Sequence, residues 1–193
     1  MKKLLDTLEK KMVLKAKEAL ELGVNRMTLS RMSELGEIQM LGGGFYAHKN
    51  LDFILAGALT AAKYYPNAVI SRQTALRIYD LAPEKIYKID IDIPYTQSIR
   101  NELFETHRVS KKHMTDIVEY KYEGHKIRIY SKMRTLYEAH KLYGYDLEFY
   151  RVIKKFITTY KDEVESKKIE KLDKLFKLNI ASLLAQEVTD DFF

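Results

Sequence analysis

Five glycines and one asparagine punctuate the first forty-four residues: Gly23, Asn25, Gly36 and the run Gly42-Gly43-Gly44. Helix formers dominate before Leu35 and β-prone residues after it, so these marks divide the segment into short elements. The spacing predicts a first helix over Leu4–Lys11. A second follows over Val13–Leu22, with Leu14, Ala16, Ala19, Leu20 and Leu22 as its small and apolar positions. Gly23 stops that helix because glycine adopts the left-handed conformation cheaply. Asn25 is placed to cap a third helix, Arg26–Leu35, whose Leu29, Met32 and Leu35 form an apolar stripe. Gly36 ends it. Glu37–Leu41 then alternates polar with apolar, the three glycines turn the chain, and Phe45–Ala47 is a second short β-prone run.

Helix, helix, turn, helix, hairpin is the order of a winged helix-turn-helix, predicted here over residues 1–49. In such a module the third helix buries one face and presents the other to a DNA major groove. The exposed polar set is Asn25, Arg26, Thr28, Ser30 and Arg31. Arginine donates twice to guanine, and Ser and Thr serve bases or phosphates. The first backbone N–H groups of the helix favour a phosphate. On the wing, Gly44 permits close approach, while Tyr46, His48 and Lys49 are positioned for the sugar-phosphate backbone. The competing expectation is a helical hairpin whose Ser, Thr and Arg residues are only solvated.

Residues 50–193 read as a larger mixed α/β domain with a small sheet and C-terminal helices, which makes the whole chain α+β. Asn50 is placed to cap a helix over Leu51–Tyr64, and Ser71 another over Arg72–Leu81. Lys85–Ile93, Leu103–Val109, Asp116–Tyr122 and Lys126–Tyr130 are predicted strands, the last two joined by a turn at Glu123-Gly124. Helices are predicted over Lys132–Tyr143, Leu147–Tyr160 and Val164–Ala185. The only domain boundary the pattern suggests lies near residues 48–50.

Composition narrows the chemistry. The chain of 193 residues has no cysteine, which removes disulfides, thiolate metal sites and cysteine nucleophiles. Its net charge is +6, and the first 49 residues hold nine Lys/Arg against six Asp/Glu, half of that excess in a quarter of the length. That density suits a nucleic-acid partner. The longest apolar run, Phe53–Ala62, falls short of the roughly 20 residues of a membrane span. The N-terminus lacks the apolar core of a signal peptide. A cytoplasmic location without a membrane partner is therefore expected.

The stretch Ala16–Ile38, followed by Gly44-Phe45-Tyr46, resembles the opening of AbiEi-type antitoxins and related transcriptional regulators. Ala68-Val69-Ile70-Ser71 with Thr74-Ala75 is similar to a later segment of that family. Gly124–Tyr130 with Ser131, Arg134 and Thr135 is similar to its strand and "S-x-x-R-T" helix start, although the family commonly has Pro and Glu where Lys132 and Met133 stand. The resemblance implies a repressor of its own operon, acting on inverted repeats in double-stranded DNA. It further implies that the second domain counters a nucleotidyltransferase-like toxin without requiring a stable complex. No cofactor, metal or catalytic residue is implied.

The sequence also allows two other readings. Asp90 and Asp92, followed by Glu119 and Lys121 on a later strand, have the composition of a Mg²⁺-dependent nuclease site. The alternative is that all four line the solvent faces of their strands. A ligand-responsive regulator is the third possibility. The histidines at 48, 107, 113, 125 and 140 show no metal-ligand spacing, and Ser71 and Ser131 have no triad signature. For Arg134 and Thr135 the expectation is structural: an ion pair with an acid and a helix cap.

Overall fold

The computed structural model describes residues 2–82 and 85–190. They form a mixed α+β protein with two small sheets. Helix α1 (Lys2–Lys11) buries Leu4 and Leu8 and turns its lysines outward. Strand β1 (Val13–Lys15) leads directly into α2 (Ala16–Glu21) and then α3 (Arg26–Glu34). Strands β2 (Ile38–Gly42) and β3 (Phe45–His48) make the glycine hairpin, and the sheet order is β1-β3-β2.

Strand β1 replaces the first three residues of the predicted second helix. Val13, Leu14 and Lys15 pair antiparallel with Ala47, Tyr46 and Phe45. Propensity alone would allow either conformation, and pairing with a strand thirty residues away selects the extended one. Helix α3 also ends earlier than expected. Leu35 is its C-cap and is 65% exposed, so it does not belong to the buried stripe, whereas Leu29 and Met32 do.

Both faces of this sheet are covered. Side chains alternate across a strand, and β3 uses the alternation fully. Tyr46 faces Leu4, Leu8, Leu14, Leu29 and Ile38 in a small core under the helices. Phe45 and Ala47, with Val13 and Leu41, face the other way and join the large core of the molecule. The chain passes to new elements at residues 49–52, yet that apolar core is continuous across the passage.

Helix α4 (Phe53–Tyr64) is the element that closes over the sheet. Asp52, not Asn50, caps it, accepting from the N–H groups of Ile54 and Leu55 at 2.9 and 3.2 Å. The second sheet contains β4 (Val69–Ile70), β5 (Ile89–Pro94), β6 (Phe104–Val109), β7 (Ile117–Tyr122) and β8 (His125–Tyr130), in the order β6-β5-β4-β8-β7. Strand β4 is only two residues long and carried no alternation to announce it. It nonetheless sits at the centre, antiparallel to β5 and parallel to β8. Gly57 lets α4 lie close to this sheet, since a Cβ there would fall 2.2 Å from Ile89 Cγ1.

Helix α5 (Arg72–Ile78) follows β4, and α6 (Lys132–Tyr143) and α7 (Leu147–Tyr160) follow β8. The predicted last helix is two, α8 (Ser166–Phe176) and α9 (Ile180–Asp190). Lys177 adopts the left-handed conformation at φ 55° between them. The Asp173 carboxylate accepts from Ile180 N and Ala181 N at 2.9 and 3.1 Å, which starts α9 in a new direction. The turn lets Ile180 and Leu184 enter the same core as Ile169 and Leu172. Among the described residues no helix is long and apolar enough to cross a membrane.

Candidate nucleic-acid interface

Helix α3 buries Leu29 and Met32 and leaves its other face exposed. Asn25 Oδ1 accepts from Thr28 N at 2.9 Å and from Thr28 Oγ1 at 3.1 Å. This pair fixes the helix start, and it also occupies the two side chains with each other. Arg26 and Arg31 are exposed, and among the described residues neither has an ion-pair partner. Ser30 Oγ donates to Glu34 Oε1 at 3.3 Å. An open groove of about 770 Å³ runs along this face, lined by Met27, Ser30, Arg31, Glu34 and Leu35 among others. Of the five residues singled out from sequence, Asn25, Arg26, Ser30 and Arg31 are exposed and Thr28 is half-buried. Asn25, Thr28, Ser30 and Arg31 line this groove, and Arg26 does not.

A network anchors the preceding helix. The Glu18 carboxylate accepts from Lys15 N at 2.8 Å and from the Tyr64 hydroxyl, and lies 3.2 Å from Lys63 Nζ. Lys63 Nζ also donates to Val13 O at 2.9 Å. Partial burial works to raise the Glu18 pKa, but the Lys15 amide, the Tyr64 hydroxyl and Lys63 outweigh it and hold the group below its ordinary value. Burial, then the Glu18 carboxylate, push Tyr64 well above the usual phenol range. So α2 is tied to α4 by charge-assisted bonds.

The hairpin differs from its expected role. Gly44 and Lys49 are exposed, as a phosphate contact requires, but Tyr46 is 7% exposed and belongs to the small core. His48 is half-buried, its Nδ1 accepting from Asn50 N at 3.4 Å. The tip is not free. Gly43 N donates to Glu102 Oε1 at 2.5 Å, and Asn101 Nδ2 donates to Gly43 O at 3.0 Å. Gly43 has φ +59°, and a Cβ there would meet Asn101 Oδ1 at 2.0 Å. Asn101 and Glu102 carried no signal in the sequence, because their partners lie nearly sixty residues away.

The nuclease constellation is not assembled. Asp90 and Asp92 are on β5 and Glu119 and Lys121 on β7, with β4 and β8 between them. Glu119 instead pairs with Lys126 at 2.9 Å. Nor do the aspartates face solvent. Asp90 is 8% exposed and bonds His107 Nε2 at 2.8 Å, and Asp92 is fully buried, accepting from the Tyr130 hydroxyl at 2.9 Å. Among the described residues no group of three or more His, Cys, Asp or Glu is arranged to hold a metal ion.

Asp92 belongs instead to a buried charge network. Ser131 caps α6 by accepting from Arg134 N at 3.2 Å, while Thr135, expected as the cap, donates to Ser131 O at 2.9 Å. The fully buried Arg134 guanidinium bonds Glu138 and stacks 4.3 Å from the Tyr130 ring centre and 4.2 Å from that of Phe176. Lys141 Nζ is 2.8 Å from the same Glu138 carboxylate. Arg72 Nε lies 3.9 Å from Asp92 and 4.0 Å from Glu138. Burial, reinforced by repulsion from Glu138, raises the Asp92 pKa. Burial opposes ionisation of Glu138 too, but Arg134 and Lys141 prevail and hold it below the ordinary glutamate value.

No model of a known protein family matches the chain, and no curated protein matches it.

Proposed function

We propose that residues 1–49 are a winged helix-turn-helix that binds double-stranded DNA through α3, and that the chain acts in the cytoplasm as an autorepressor and antitoxin of AbiEi type. The observation that carries the DNA reading is the pair Arg26 and Arg31, exposed and without ion-pair partners among the described residues, on a helix whose opposite face is buried. The order α1-β1-α2-α3-β2-β3 and the sheet order β1-β3-β2 support it. Asn25 and Thr28 then serve by fixing the helix start, and Arg26, Ser30 and Arg31 by contact. In this reading the exposed Gly44 and Lys49 meet the DNA backbone beside the tethered tip, and the buried Tyr46 supports the hairpin from beneath. The antitoxin assignment rests on the resemblance of Gly124–Tyr130, Ser131, Arg134 and Thr135. Under it, residues 50–193 oppose a nucleotidyltransferase-like toxin with no stable complex required.

The test has two arms. Duplexes from upstream of the chain's own gene are expected to bind in fluorescence anisotropy with marked salt sensitivity, since each neutralised phosphate adds about 0.9 to the logarithmic salt slope. The double variant Arg26→Ala, Arg31→Ala is expected to lose site-specific binding while its circular dichroism is unchanged. Unchanged binding would overturn the assignment of α3. For the antitoxin arm, co-expression is expected to restore growth to cells carrying a neighbouring nucleotidyltransferase-like gene, and continued growth arrest counts against it.

A further inference from the structure

The outward face of α3 has an apolar centre. Leu29 and Met32 are buried, at 0% and 2% exposure, so the opposite face carries Met27, Ser30, Arg31 and Glu34 at spacings of three and four. Met27 is 78% exposed, more than any other large hydrophobic residue described. A lone surface methionine is ordinary. This one is distinguished by its position. It stands at the second residue of the helix, beside Arg26, and lines the groove together with Arg31. No acid lies in the first turn of α3. Ser30 and Glu34 bond each other, which leaves Met27 and Arg31 as the groups on that face without a partner among the described residues.

The N-terminal residues of a reading helix are those that meet base edges. The base edges of the major groove present hydrogen-bond donors and acceptors and one apolar group, the C5 methyl of thymine. A long, unbranched thioether side chain suits that methyl because it adapts its shape to the contact. We propose that Met27 is a specificity-determining residue that packs on a thymine methyl, so that the DNA sites bound by this chain carry thymine opposite the first turn of α3. The inference rests on the DNA-binding reading above and adds to it which base is read and by which side chain.

The experiment selects bound duplexes from a random library with the full chain. Each thymine of the recovered site is then replaced by deoxyuridine, which removes only the methyl. Wild-type protein is expected to bind about fourfold more weakly at one or two of these positions, the effect of exposing one methyl-sized group. In Met27→Ala the ratio between thymine and uracil at those positions is expected to fall to one. Met27→Leu, which keeps an apolar side chain, is expected to retain a difference. If no thymine is methyl-sensitive, or if Met27→Ala keeps the wild-type ratio, the inference is overturned while the DNA reading stands. If no duplex is enriched, both are overturned. A self-association abolished by Met27→Ala, with the thymine-to-uracil ratio unchanged, would make this face a contact between copies instead and would also overturn it.

Discussion

Glu102 accepts a hydrogen bond from the backbone N–H of Gly43 at 2.5 Å, joining the β5–β6 loop to the tip of the glycine hairpin. The donor is a backbone amide at a turn of left-handed residues, with Gly42, Gly43 and Gly44 at φ +94°, +59° and +80°. Backbone N–H groups exposed in a turn can favour an anion. Here a side-chain carboxylate of the same molecule fills that role.

If the hairpin meets DNA as proposed, the charge at this position opposes the approaching phosphate. Glu102→Gln keeps an acceptor for Gly43 N and removes only the charge. Its expected effect is tighter duplex binding at low salt, by about the two- to fivefold that one exposed charge contributes, fading as salt screens it. Binding titrations at two ionic strengths check this. Weaker binding by the variant would mean that the carboxylate positions the hairpin for DNA instead of opposing it.

At the start of α3, the Asn25 cap satisfies one helix N–H and one hydroxyl of Thr28. Asn25→Ala is expected to cost about 1 kcal/mol in urea unfolding, and Asn25→Asp or Asn25→Ser to recover most of it. A loss in all three variants would point to a role for the side-chain amide beyond capping.

Glu138 and Asp92 are both fully buried, yet they predict opposite behaviour. Glu138→Ala leaves Arg134 and Lys141 without their carboxylate and is expected to destabilise the fold by about 3–5 kcal/mol. Asp92→Asn keeps an acceptor for the Tyr130 hydroxyl and removes a charge that burial and Glu138 both disfavour, so its thermal midpoint at pH 8 is expected to equal or exceed that of wild type.

The pH dependences differ in sign. Glu138 titrates below its ordinary value in the fold, so its stabilisation is present above that value and is lost as pH falls through the lowered one. Asp92 titrates above its ordinary value, so its penalty is present at higher pH and is relieved as pH falls through the raised one. The gap between wild type and Asp92→Asn should therefore close on acidification. A gap that widens in acid would reverse the assignment of the raised group.

Gly57 tests the packing of α4. A methyl group there would overlap the Ile89 side chain, so Gly57→Ala is expected to destabilise by about 1–3 kcal/mol despite the helix propensity of alanine. The double variant Gly57→Ala, Ile89→Val, which trims the facing side chain, should recover part of that loss. A stabilised single variant would show that α4 has room to move away from the sheet.

Local signals were legible in the sequence. Asn25 does cap α3, the glycine run does turn a hairpin, and α6 and α7 occupy the expected Lys132–Tyr143 and Leu147–Tyr160. Each of these depends on residues within a few positions of one another, where capping, left-handed turns and helical periodicity operate. Of the candidate site, the exposure of Arg26 and Arg31 was legible in the same way, since the apolar positions Leu29 and Met32 determine which face turns inward.

The remainder needed contacts between distant parts of the chain. Val13–Lys15 is a strand because β3 pairs with it, and Val69–Ile70 is one because β5 and β8 lie on either side. Asp90 and Asp92 alternate with isoleucines as a solvent face would, yet they are buried because His107 and Tyr130 satisfy them from other strands. Tyr46 is a core residue because the sheet is covered on both faces. Alternation places a side chain on one face of a strand or the other, but whether that face meets water is decided by what the rest of the chain lays over it. The glycines of the hairpin follow the same division: their sequence determined a turn with left-handed backbone, and only the tertiary structure brought Asn101 and Glu102 onto it.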